Sequence, residues 1–441
     1  MGTYIPCTKE EQMKMLEEIG YRSFDDLFSM VPSEMKLTES LAIPKGRSEM
    51  KVLEKMESIA DKNKLFRHIF RGAGAYHHYI PAIVPEVVKK EALLTAYTPY
   101  QAEISQGILQ AIFEYQTMIC QLTGMHASNA SVYDGASAAA EACAMCTERK
   151  REIIYVSATT HPGVISTIQT YCFGSNTQVV IIPQKDGVTD VESLKETLSD
   201  TSACFYLQQP NYYGILEPVE ELERVVHTVG AKFIMGCNPF SMAILKTPAE
   251  YGADVAVGEG QPLGLSLGFG GPYLGFMTAT EKMTRKLPGR IVGQTVDTEG
   301  KRGFVLTLQA REQHIRREKA SSNICSNQAL CALSASVYMA AVGASGMKEV
   351  AIQCTSKAHY LQKALEKVGL ELRYGKPFFH EFVTSSEYSS ETILNALEKQ
   401  GILGGLMLND KEILWCTTEM NTKKEMDELV QIVKEVTGSC N

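Results

Sequence analysis

The sequence predicts an α/β protein, with a mostly parallel sheet in a large domain and a smaller α+β domain at the C-terminal end. Between residues 151 and 280, strand-like segments alternate with helical segments. Several of these strands are apolar throughout, which is typical of a parallel sheet covered by helices on both faces. After residue 311 the pattern changes to long helical segments followed by short strands. We therefore expect a helical N-terminal extension over 1–65, the large domain over 66–310 and the small domain over 311–441.

Composition and charge narrow the class of protein. The chain has 441 residues, 44% of them hydrophobic, and a formal net charge of −8. Basic residues are scattered along it, so the electrostatic footprint of a nucleic-acid-binding protein is missing. We find no secretion signal at the N-terminal end and no uninterrupted apolar run of the ~20 residues that span a bilayer. We expect a cytoplasmic protein that binds neither nucleic acid nor membrane.

The cysteines are expected to be free thiols. Twelve of them are spread thinly over a large chain, which differs from the dense spacing of a small disulfide-stabilised protein. Cys143 and Cys146 form a C-x-x-C pair, but no second pair follows at metal-ligand spacing. We interpret them as buried thiols in a helix and expect no metal site.

The N-terminal extension shows local helix signals. Thr8 and Glu11 have the spacing of a capping box before MKMLEEI, and Ser23 is placed to cap a second helix. Further along, apolar residues recur at helical spacing from Glu103 until Gly124. This predicts a long, half-buried helix.

The alternating region predicts the sheet and its covering helices. The predicted strands are 151–158, 177–184, 203–210, 232–237, 253–260 and 272–280, and the predicted helices are 162–171, 191–199 and 220–231. In the C-terminal part we expect helices over 327–344, 348–369 and 423–436, with strands over 378–384 and 412–418.

The segment VYDGASAAAEA, residues 132–142, is a candidate anion site. Small residues from Gly135 through Ala136, Ser137 and Ala138 open a predicted helix. Such a start offers bare N–H groups and the positive end of the helix dipole, which suit a phosphate. The alternative is that the alanines only allow the helix to pack closely on the sheet.

The glycine-rich stretch GEGQPLGLSLGFGGPYLGF, residues 258–276, does not predict a hydrolase. Gly264 to Gly268 match the G-x-S-x-G pattern around Ser266, but that pattern requires a helix directly after the serine. Two more glycines and a strand-like segment follow instead. Residues 247–281 contain neither Lys nor Arg, so this stretch has no amine that could form a Schiff base.

Three further segments carry candidate surface residues. YTPYQAEISQG, starting at Tyr97, places aromatic and polar side chains on a turn before the long helix, which would suit an interface or a cleft, or the rings could be buried. His77 and His78 are adjacent, and one of them is expected to form hydrogen bonds. The run REQHIRREK, residues 311–319, is either a solvated face or a surface for an acidic partner.

Taken together, the motifs resemble one family. The chain is similar to the P-protein of the glycine cleavage system (glycine decarboxylase), and to the N-terminal-half subunit of the form that is divided into two polypeptides. The similarity covers nearly the whole chain and rests on the following segments: YHHYIPAIV, YTPYQAEISQG, YQTMICQLTGM, ASVYDGASAAAEA, ADVAVGEGQPLG, GFGGPYLGF and REQHIRREKASSNIC. His77 departs from the family pattern, which has an acidic residue before His78.

The resemblance implies the fold-type I architecture of pyridoxal-phosphate enzymes. In that fold a lysine holds the cofactor and an acid pairs with its pyridine nitrogen. Aligned with the sister subunit, Gln261 takes the place of the lysine and Met235 the place of the acid. A glutamine amide is not a nucleophile toward an aldehyde. We therefore expect a degenerate cofactor pocket, a vestigial phosphate loop at 135–138 and no covalently bound cofactor on this chain.

The resemblance also implies a partner and a reaction. A C-terminal-half subunit would hold pyridoxal phosphate, and the pair, as a heterotetramer, would act as glycine dehydrogenase (aminomethyl-transferring, decarboxylating), an oxidoreductase. Its substrates would be glycine and the lipoyl arm of the H-protein. The residues expected to line the border of the shared site are His78, Tyr97, Tyr100, Gln101 and Glu103. Two alternatives are a self-sufficient enzyme using Lys319 or Lys246, and a purely structural scaffold.

Overall fold

The computed structural model describes residues 7–37, 39, 41–94 and 99–438. The chain divides into two compact units, residues 1–64 and 65–441. The helices are α1 Lys9–Glu18, α2 Phe24–Leu27, α3 Glu49–Ala60, α4 Ile83–Val88, α5 Gln106–Thr123, α6 Gly135–Cys146, α7 Pro162–Ser175, α8 Val191–Thr197, α9 Val219–Thr228, α10 Gln313–Arg316, α11 Ala329–Glu366, α12 Ser390–Lys399 and α13 Lys423–Thr437. The strands are β1 His68–Ile69, β2 Ala127–Ser128, β3 Ile153–Ser157, β4 Val179–Ile182, β5 Gln184–Lys185, β6 Val188–Thr189, β7 Ser202–Gln209, β8 Lys232–Cys237, β9 Val255–Glu259, β10 Gly275–Ala279, β11 Val292–Val296, β12 Arg302–Leu306, β13 Glu371–Leu372, β14 Glu381–Ser385, β15 Ile402–Leu403, β16 Leu406–Asn409 and β17 Glu412–Cys416.

The first unit contains the helices α1, α2 and α3. The capping box of Thr8 and Glu11 is confirmed: the Thr8 side chain accepts from the Glu11 N–H, and the Glu11 side chain accepts from the Thr8 N–H. Ser23 caps α2 in the same way with Asp26. These local hydrogen bonds satisfy N–H groups that a helix start leaves without intrahelical partners.

A seven-stranded sheet forms the centre of the second unit. Its order is β2-β10-β9-β8-β7-β3-β4. The strands β4, β3, β7, β8 and β9 pair in parallel, and only β10 and β2 run antiparallel. The predicted mostly parallel α/β sheet is therefore confirmed.

Helices cover both faces of this sheet, and strand residues alternate between the two cores. On β8, Ile234 packs in the core that contains α6 and α7. Its neighbours Phe233 and Met235 pack on the opposite face, in the core that contains α8 and α9. The continuous apolar strands follow from this burial on both sides.

The long helix α5 is confirmed, and it ends where the sequence predicts. Gly124 caps it in a left-handed conformation with φ 71°, which glycine adopts without steric cost. Helix α11 joins the two predicted helices 327–344 and 348–369 across a kink at Gly343. It is long and apolar enough to cross a membrane, but half of that apolar stretch is buried inside the protein, as in the core helix of a globular domain.

The C-terminal part contains an antiparallel sheet of order β13-β14-β17-β16. A core that includes Trp415, Leu361 and Leu429 joins this sheet to helices α11 and α13. Strand β1 pairs in parallel with β15, so residues 68–69 lie with the C-terminal part. The division of this unit at 310/311 stays a prediction.

Several elements were not predicted from the sequence. These are helix α12, the hairpin β11-β12, the short pair β5-β6 and the two-residue strands. The two-residue strands and the pair β5-β6 are too short to show a period. Helix α12 has ten residues, with Ile393 and Leu397 buried four positions apart, so its signal was present in the sequence and was overlooked. The prediction that Cys143 and Cys146 are buried thiols in a helix is confirmed.

Candidate functional site

A cavity of about 340 Å³ opens at the C-terminal ends of the parallel strands. In open α/β sheets, this edge is where ligands bind. Its floor comes from the ends of β7, β8 and β9, and its sides from the starts of α6 and α7 and from β14. The residues that line it are Gly74, Tyr76, Asp134, Gly135, Ala136, His161, Gly163, Val164, Thr167, Tyr206, Gln208, Pro210, Asn211, Gly214, Gly236, Cys237, Asn238, Gly258, Glu259, Gly270, Tyr273, Phe379, His380 and Glu381.

The predicted phosphate loop lies at this cavity, but protein carboxylates already occupy its donors. The Gly135 N–H donates to Glu259 Oε2 at 2.9 Å, and the Ser137 N–H donates to Asp134 Oδ1 at 2.7 Å. Gly135 and Ala136 line the cavity, whereas Ala138 is fully buried. At the start of α6, carboxyl groups of the chain itself therefore accept these N–H groups, and the expectation of a vestigial phosphate loop at 135–138 stays a prediction.

Glu259 is held in place from three directions. Its Oε1 accepts from the N–H groups of Gln261 (2.9 Å) and Leu274 (3.0 Å). Burial raises the pKa of Glu259 to about 7, against the lowering effect of these N–H groups. A Cβ at Gly135 would lie 2.9 Å from the Glu259 backbone nitrogen, so only glycine allows this approach.

Gln261 stands two residues beyond β9 and is 1% exposed. Its Oε1 accepts from the Tyr76 N–H at 2.8 Å, and its Nε2 donates to the carbonyls of Tyr76 (3.0 Å) and Leu265 (2.8 Å). The amide is thus used fully in holding two loops together. Its side chain does not line the cavity, and it offers no amine.

Met235 is buried in β8, with 1% exposure. Its side chain packs with Leu207 and Phe233 on the far face of the sheet, while the next residues, Gly236 and Cys237, line the cavity. A thioether is a weak acceptor without charge. It cannot pair with a pyridinium as a carboxylate does.

Strand β14 contributes a second buried carboxyl. Glu381 accepts from the Ala73 N–H at 2.6 Å and from the Tyr76 hydroxyl at 2.8 Å. Burial raises the pKa of Glu381 to about 7. The adjacent His380 is 2% exposed, and burial holds its pKa well below the ordinary value, so the ring is neutral.

His161 forms the wall at the start of α7. Its Nδ1 accepts from the Gly163 N–H, and its Nε2 donates to the Ala73 carbonyl, both at 3.0 Å. Burial lowers the pKa of His161. These two bonds define a neutral tautomer that braces loop 71–80 against α7.

Pyridoxal phosphate does not fit this cavity. The described residues that line it include three carboxyls, Asp134, Glu259 and Glu381, and neither Lys nor Arg. The phosphate monoester of the cofactor carries a charge of roughly −1.5 to −2 near neutral pH. It would have to enter beside these carboxyls, at N–H groups that already have acceptors.

The border candidates separate into two places. Tyr100 donates to Asn327 Oδ1, lies under the guanidinium of Arg290 at 5.6 Å from its ring, and lines a second cavity of about 390 Å³. Gln101 and Glu103 are exposed on the same turn. Tyr97 lies outside the described residues.

His78 is internal instead. Its Nδ1 lies 2.7 Å from Glu419 Oε2, and its side chain is 2% exposed. Its ring packs on Phe240 at 4.5 Å, and it lines neither the 340 Å³ nor the 390 Å³ cavity. The structure thus places His78 in a buried contact with Glu419, and its expected place on the border with a sister subunit stays a prediction. The carbonyl of His77 accepts from the Thr418 hydroxyl at 2.6 Å.

The alternative lysines lie away from the main cavity. Lys246 is exposed and pairs with Glu220 at 3.0 Å, and Lys319 is exposed at the end of a short turn after α10. Neither lines the cavity. Ser266 is exposed with no helix after it, as the sequence predicts.

Sequence reasoning missed Glu259, Glu381, His380, His161 and Tyr76. Glu259 and His161 had a signal, because Glu259 ends the apolar strand β9 and His161 lies shortly after β3, at the edge where sites form. Glu381 had none, since its partner Tyr76 is 305 residues away along the chain.

Known proteins are similar to this chain over nearly its whole length. The chain is 48% identical over 439 residues to the probable glycine dehydrogenase (decarboxylating) subunit 1 of Carboxydothermus hydrogenoformans, covering 98% of this chain and 99% of the relative. It is 47% identical to the protein of that name from Bacillus cytotoxicus, covering 97% and 98%.

Solved structures give the same result. The crystal structure of a glycine decarboxylase (P-protein) of the glycine cleavage system, in inhibitor-bound form, superposes with a TM-score of 0.92 at 39% identity, covering 99% of this chain and 100% of that chain. A Burkholderia pseudomallei sphingosine-1-phosphate lyase, at 15% identity and a TM-score of 0.67, covers 92% of this chain and 94% of its own, and shares the fold. The fold is that of fold-type I pyridoxal-phosphate enzymes. The model of the glycine cleavage system P-protein family matches residues 2–433, and the chain belongs to that family.

Proposed function

We propose that this chain is the subunit of glycine dehydrogenase (decarboxylating) that does not anchor the cofactor. With a sister subunit it decarboxylates glycine and transfers the aminomethyl group to the lipoyl arm of the H-protein. Relatives that are 46% to 48% identical over nearly their whole length carry the name of subunit 1 of this enzyme. A first subunit implies a second.

The observation that carries the proposal is the paired replacement at the cofactor position. Where the family resemblance implies a lysine, Gln261 uses its amide to hold Tyr76 and Leu265. Where it implies a phosphate, Glu259 accepts the N–H of Gly135. Both substitutions stabilise the loops without a cofactor, so the sister subunit holds pyridoxal phosphate, which when bound supplies an electron sink for decarboxylation.

This chain contributes the wall of the shared site. The turn that carries Tyr100, Gln101 and Glu103 is anchored through Asn327 and borders the 390 Å³ cavity. Exposed polar side chains beside a fixed aromatic suit a surface that closes over a partner's site and excludes water. Tyr97 belongs to the same turn in sequence, and we include it in this border.

The assembly follows from the same reasoning. A shared border requires that the two subunits associate permanently, and we propose a heterotetramer of two such pairs in the cytoplasm. The lipoylated H-protein docks where the border opens, so that its arm reaches the site along a channel shaped partly by this chain.

One experiment tests the location of the cofactor. The full chain is purified alone, mixed with pyridoxal phosphate and reduced with borohydride, then digested and mapped by mass spectrometry. We expect no stoichiometric pyridoxyl-lysine on this chain, whereas the sister subunit treated in parallel acquires one. A stoichiometric adduct at Lys246, Lys319 or any other lysine of this chain would refute the proposal.

A second experiment distinguishes a site-lining subunit from a scaffold. Glu103→Gln and Tyr97→Phe are introduced separately, and each variant is reconstituted with the sister subunit. We expect intact assembly with at least tenfold slower exchange of labelled CO₂ into glycine, on the order of the effect of removing one positioned hydrogen bond. Tyr388→Phe, at an exposed position in the C-terminal part, is the matched control. If both border variants exchanged labelled CO₂ into glycine at the wild-type rate, the result would favour a purely structural scaffold.

A further inference from the structure

Three side chains with metal-binding atoms meet outside the main cavity. They are His78, Cys354 on α11 and Glu419 shortly after β17. One ligand atom of each, namely the His78 ring nitrogen, the Cys354 sulfur and a Glu419 carboxylate oxygen, lies within 4.8 Å of the other two. The cluster spans 341 residues of the chain, so the spacing of cysteines in the sequence could not reveal it.

The thiol and the imidazole converge on one carboxylate oxygen. Glu419 Oε2 lies 2.7 Å from His78 Nδ1 and accepts from the Cys354 thiol at 3.6 Å. In a tetrahedral zinc site, with bonds of about 2.0–2.3 Å, the ligand atoms lie about 3.3–3.6 Å from one another. Side-chain shifts of about 1 Å therefore bring all three atoms to the distances that a single ion requires.

The carboxylate is already oriented for this arrangement. Glu419 Oε1 accepts from the Tyr79 N–H at 2.6 Å, which leaves Oε2 for the other two side chains. The ammonium of Lys357 donates to the Glu419 backbone carbonyl at 2.6 Å and to Gln353 Oε1 at 3.2 Å, so its printed bonds leave the carboxylate free. Outer hydrogen bonds that fix a ligand in this way are typical of metal sites.

The cluster is buried, but solvent reaches its edge. Cys354 is fully buried, whereas the Glu419 side chain is 11% exposed. Glu419 lines a groove of about 330 Å³ that Tyr79, Tyr338 and Val350 also line. An ion can enter from this groove, and a water there can complete the coordination, as in zinc sites with three protein ligands.

The ligand types select the metal. Thiolate and imidazole suit Zn²⁺, whereas Mg²⁺ and Ca²⁺ take oxygen ligands. Zinc with one thiolate and one carboxylate is electrically neutral, which suits a buried place. On binding, the Cys354 S–H bond breaks, its proton goes to solvent and the S–Zn bond forms. His78 coordinates through Nδ1 with its proton on Nε2.

We propose that His78, Cys354 and Glu419 form a zinc site, with a water from the groove as the fourth ligand. The ion fastens loop 71–80 to α11 and to the segment after β17, so its role is structural. The site is separate from the 340 Å³ cavity, since none of the three residues lines that cavity. It does not depend on the function proposed above.

Cobalt binding to the full chain tests the site. The protein is purified with a chelator and a reductant, freed from both, and titrated with Co²⁺, whose thiolate charge-transfer absorption reports a cobalt–sulfur bond. We expect one equivalent to give this absorption together with the visible bands of tetrahedral cobalt, and Zn²⁺ to abolish both. Mg²⁺ should not compete. Absence of the charge-transfer absorption would overturn the proposal.

Variants locate the ion. Cys354→Ser removes the thiolate but retains a hydroxyl that can donate to Glu419. Cys331→Ser is its matched control, because Cys331 is a buried cysteine of the same helix and lies outside the cluster. We expect the absorption to disappear in the first variant and to persist in the second. His78→Gln should weaken zinc binding at least tenfold.

Melting temperature supplies an independent readout. Zinc should raise it for the wild type and for Cys331→Ser, but not for Cys354→Ser. An equal rise in all three proteins, or full cobalt–thiolate absorption in folded Cys354→Ser, would place the ion at another thiol and contradict the site. If Cys354→Ser does not fold, Cys354→Ala replaces it in both measurements, because alanine also removes the thiolate and introduces no buried hydroxyl.

Discussion

The side-chain amide of Gln261 binds both backbone polar groups of Tyr76. The Tyr76 N–H donates to Oε1 at 2.8 Å, and Nε2 donates to the Tyr76 carbonyl at 3.0 Å. The same Nε2 reaches the carbonyl of Leu265. The residue that takes the place of a cofactor lysine is therefore a structural clamp between two loops that are 185 residues apart in the chain.

Removing this clamp should destabilise the protein. Gln261→Ala leaves one N–H and two carbonyls without their partners, and we expect a loss on the order of 3 kcal/mol in the free energy of unfolding. Urea denaturation measures it. Gln110→Ala is the control, because that amide is exposed and bonds only Glu114; it should change stability by less than about 0.5 kcal/mol. Equal effects would show that the clamp contributes nothing.

Gly135 should not tolerate a methyl group. A Cβ there would meet the Cβ and backbone nitrogen of Glu259 at 2.9 Å, and overpacking of this kind costs about 1–3 kcal/mol. Gly107 stands near the start of α5 with open space around it, so Gly107→Ala should stabilise by up to about 1 kcal/mol. Melting temperatures of the two variants should therefore move in opposite directions. A neutral Gly135→Ala would mean that Glu259 shifts freely.

Buried Glu381 should make stability fall as the pH rises. Its pKa is about 7 in the folded chain and 4.5 ordinarily, so the folded state holds an extra proton between these values. The free energy of unfolding therefore decreases by about 3 kcal/mol from this group as the pH rises from 4.5 through 7. Denaturation at pH 5 and pH 8 measures the difference.

The variant Glu381→Gln tests this assignment. Glutamine can accept from the Ala73 N–H and donate to the Tyr76 hydroxyl, so the pH-dependent loss should shrink by about 3 kcal/mol. Glu391→Gln, at an exposed position on α12, should retain the wild-type dependence. An unchanged dependence in Glu381→Gln would show that this carboxyl titrates near its ordinary value.

His78 and Glu419 should be strongly coupled. Their side chains are 2% and 11% exposed, and His78 Nδ1 lies 2.7 Å from Glu419 Oε2. Breaking a buried pair of this kind costs about 3–5 kcal/mol. Burial acts to raise the pKa of Glu419, but the hydrogen bond and the electrostatic attraction of His78, together with backbone hydrogen bonds that include the Tyr79 N–H, outweigh it and hold the pKa below 4.5. The stability from this carboxylate is therefore present above pH 4.5 and is lost as the pH falls further.

A double-mutant cycle with His78→Gln and Glu419→Gln measures the coupling at pH 7. We expect about 1–3 kcal/mol. The exposed pair of Lys246 and Glu220, with 57% and 56% of their side chains accessible, is the matched cycle and should give less than about 1 kcal/mol. Equal values in both cycles would contradict a strong buried contact between His78 and Glu419.

The alternation of strands and helices could be predicted from the sequence because each strand and helix has its own spacing of apolar residues. Strand β8 and helix α5 are apolar in patterns that depend only on neighbouring residues. The caps at Thr8 and Gly124 are equally local, involving hydrogen bonds or backbone angles within a few positions. The motifs of the glycine-rich stretch likewise contain no lysine, whatever the fold.

What the sequence determined by itself was thus the fold class, the helix caps at Thr8, Ser23 and Gly124 and the absence of a cofactor amine in residues 247–281. Only the tertiary structure decided which side chains lie at the place where the resemblance implies a cofactor. Glu259 meets Gly135 across 124 residues, and Glu381 meets Tyr76 across 305. Charges that come together through chain folding leave no periodic trace, because burial and hydrogen bonding between distant segments depend on how the layers pack.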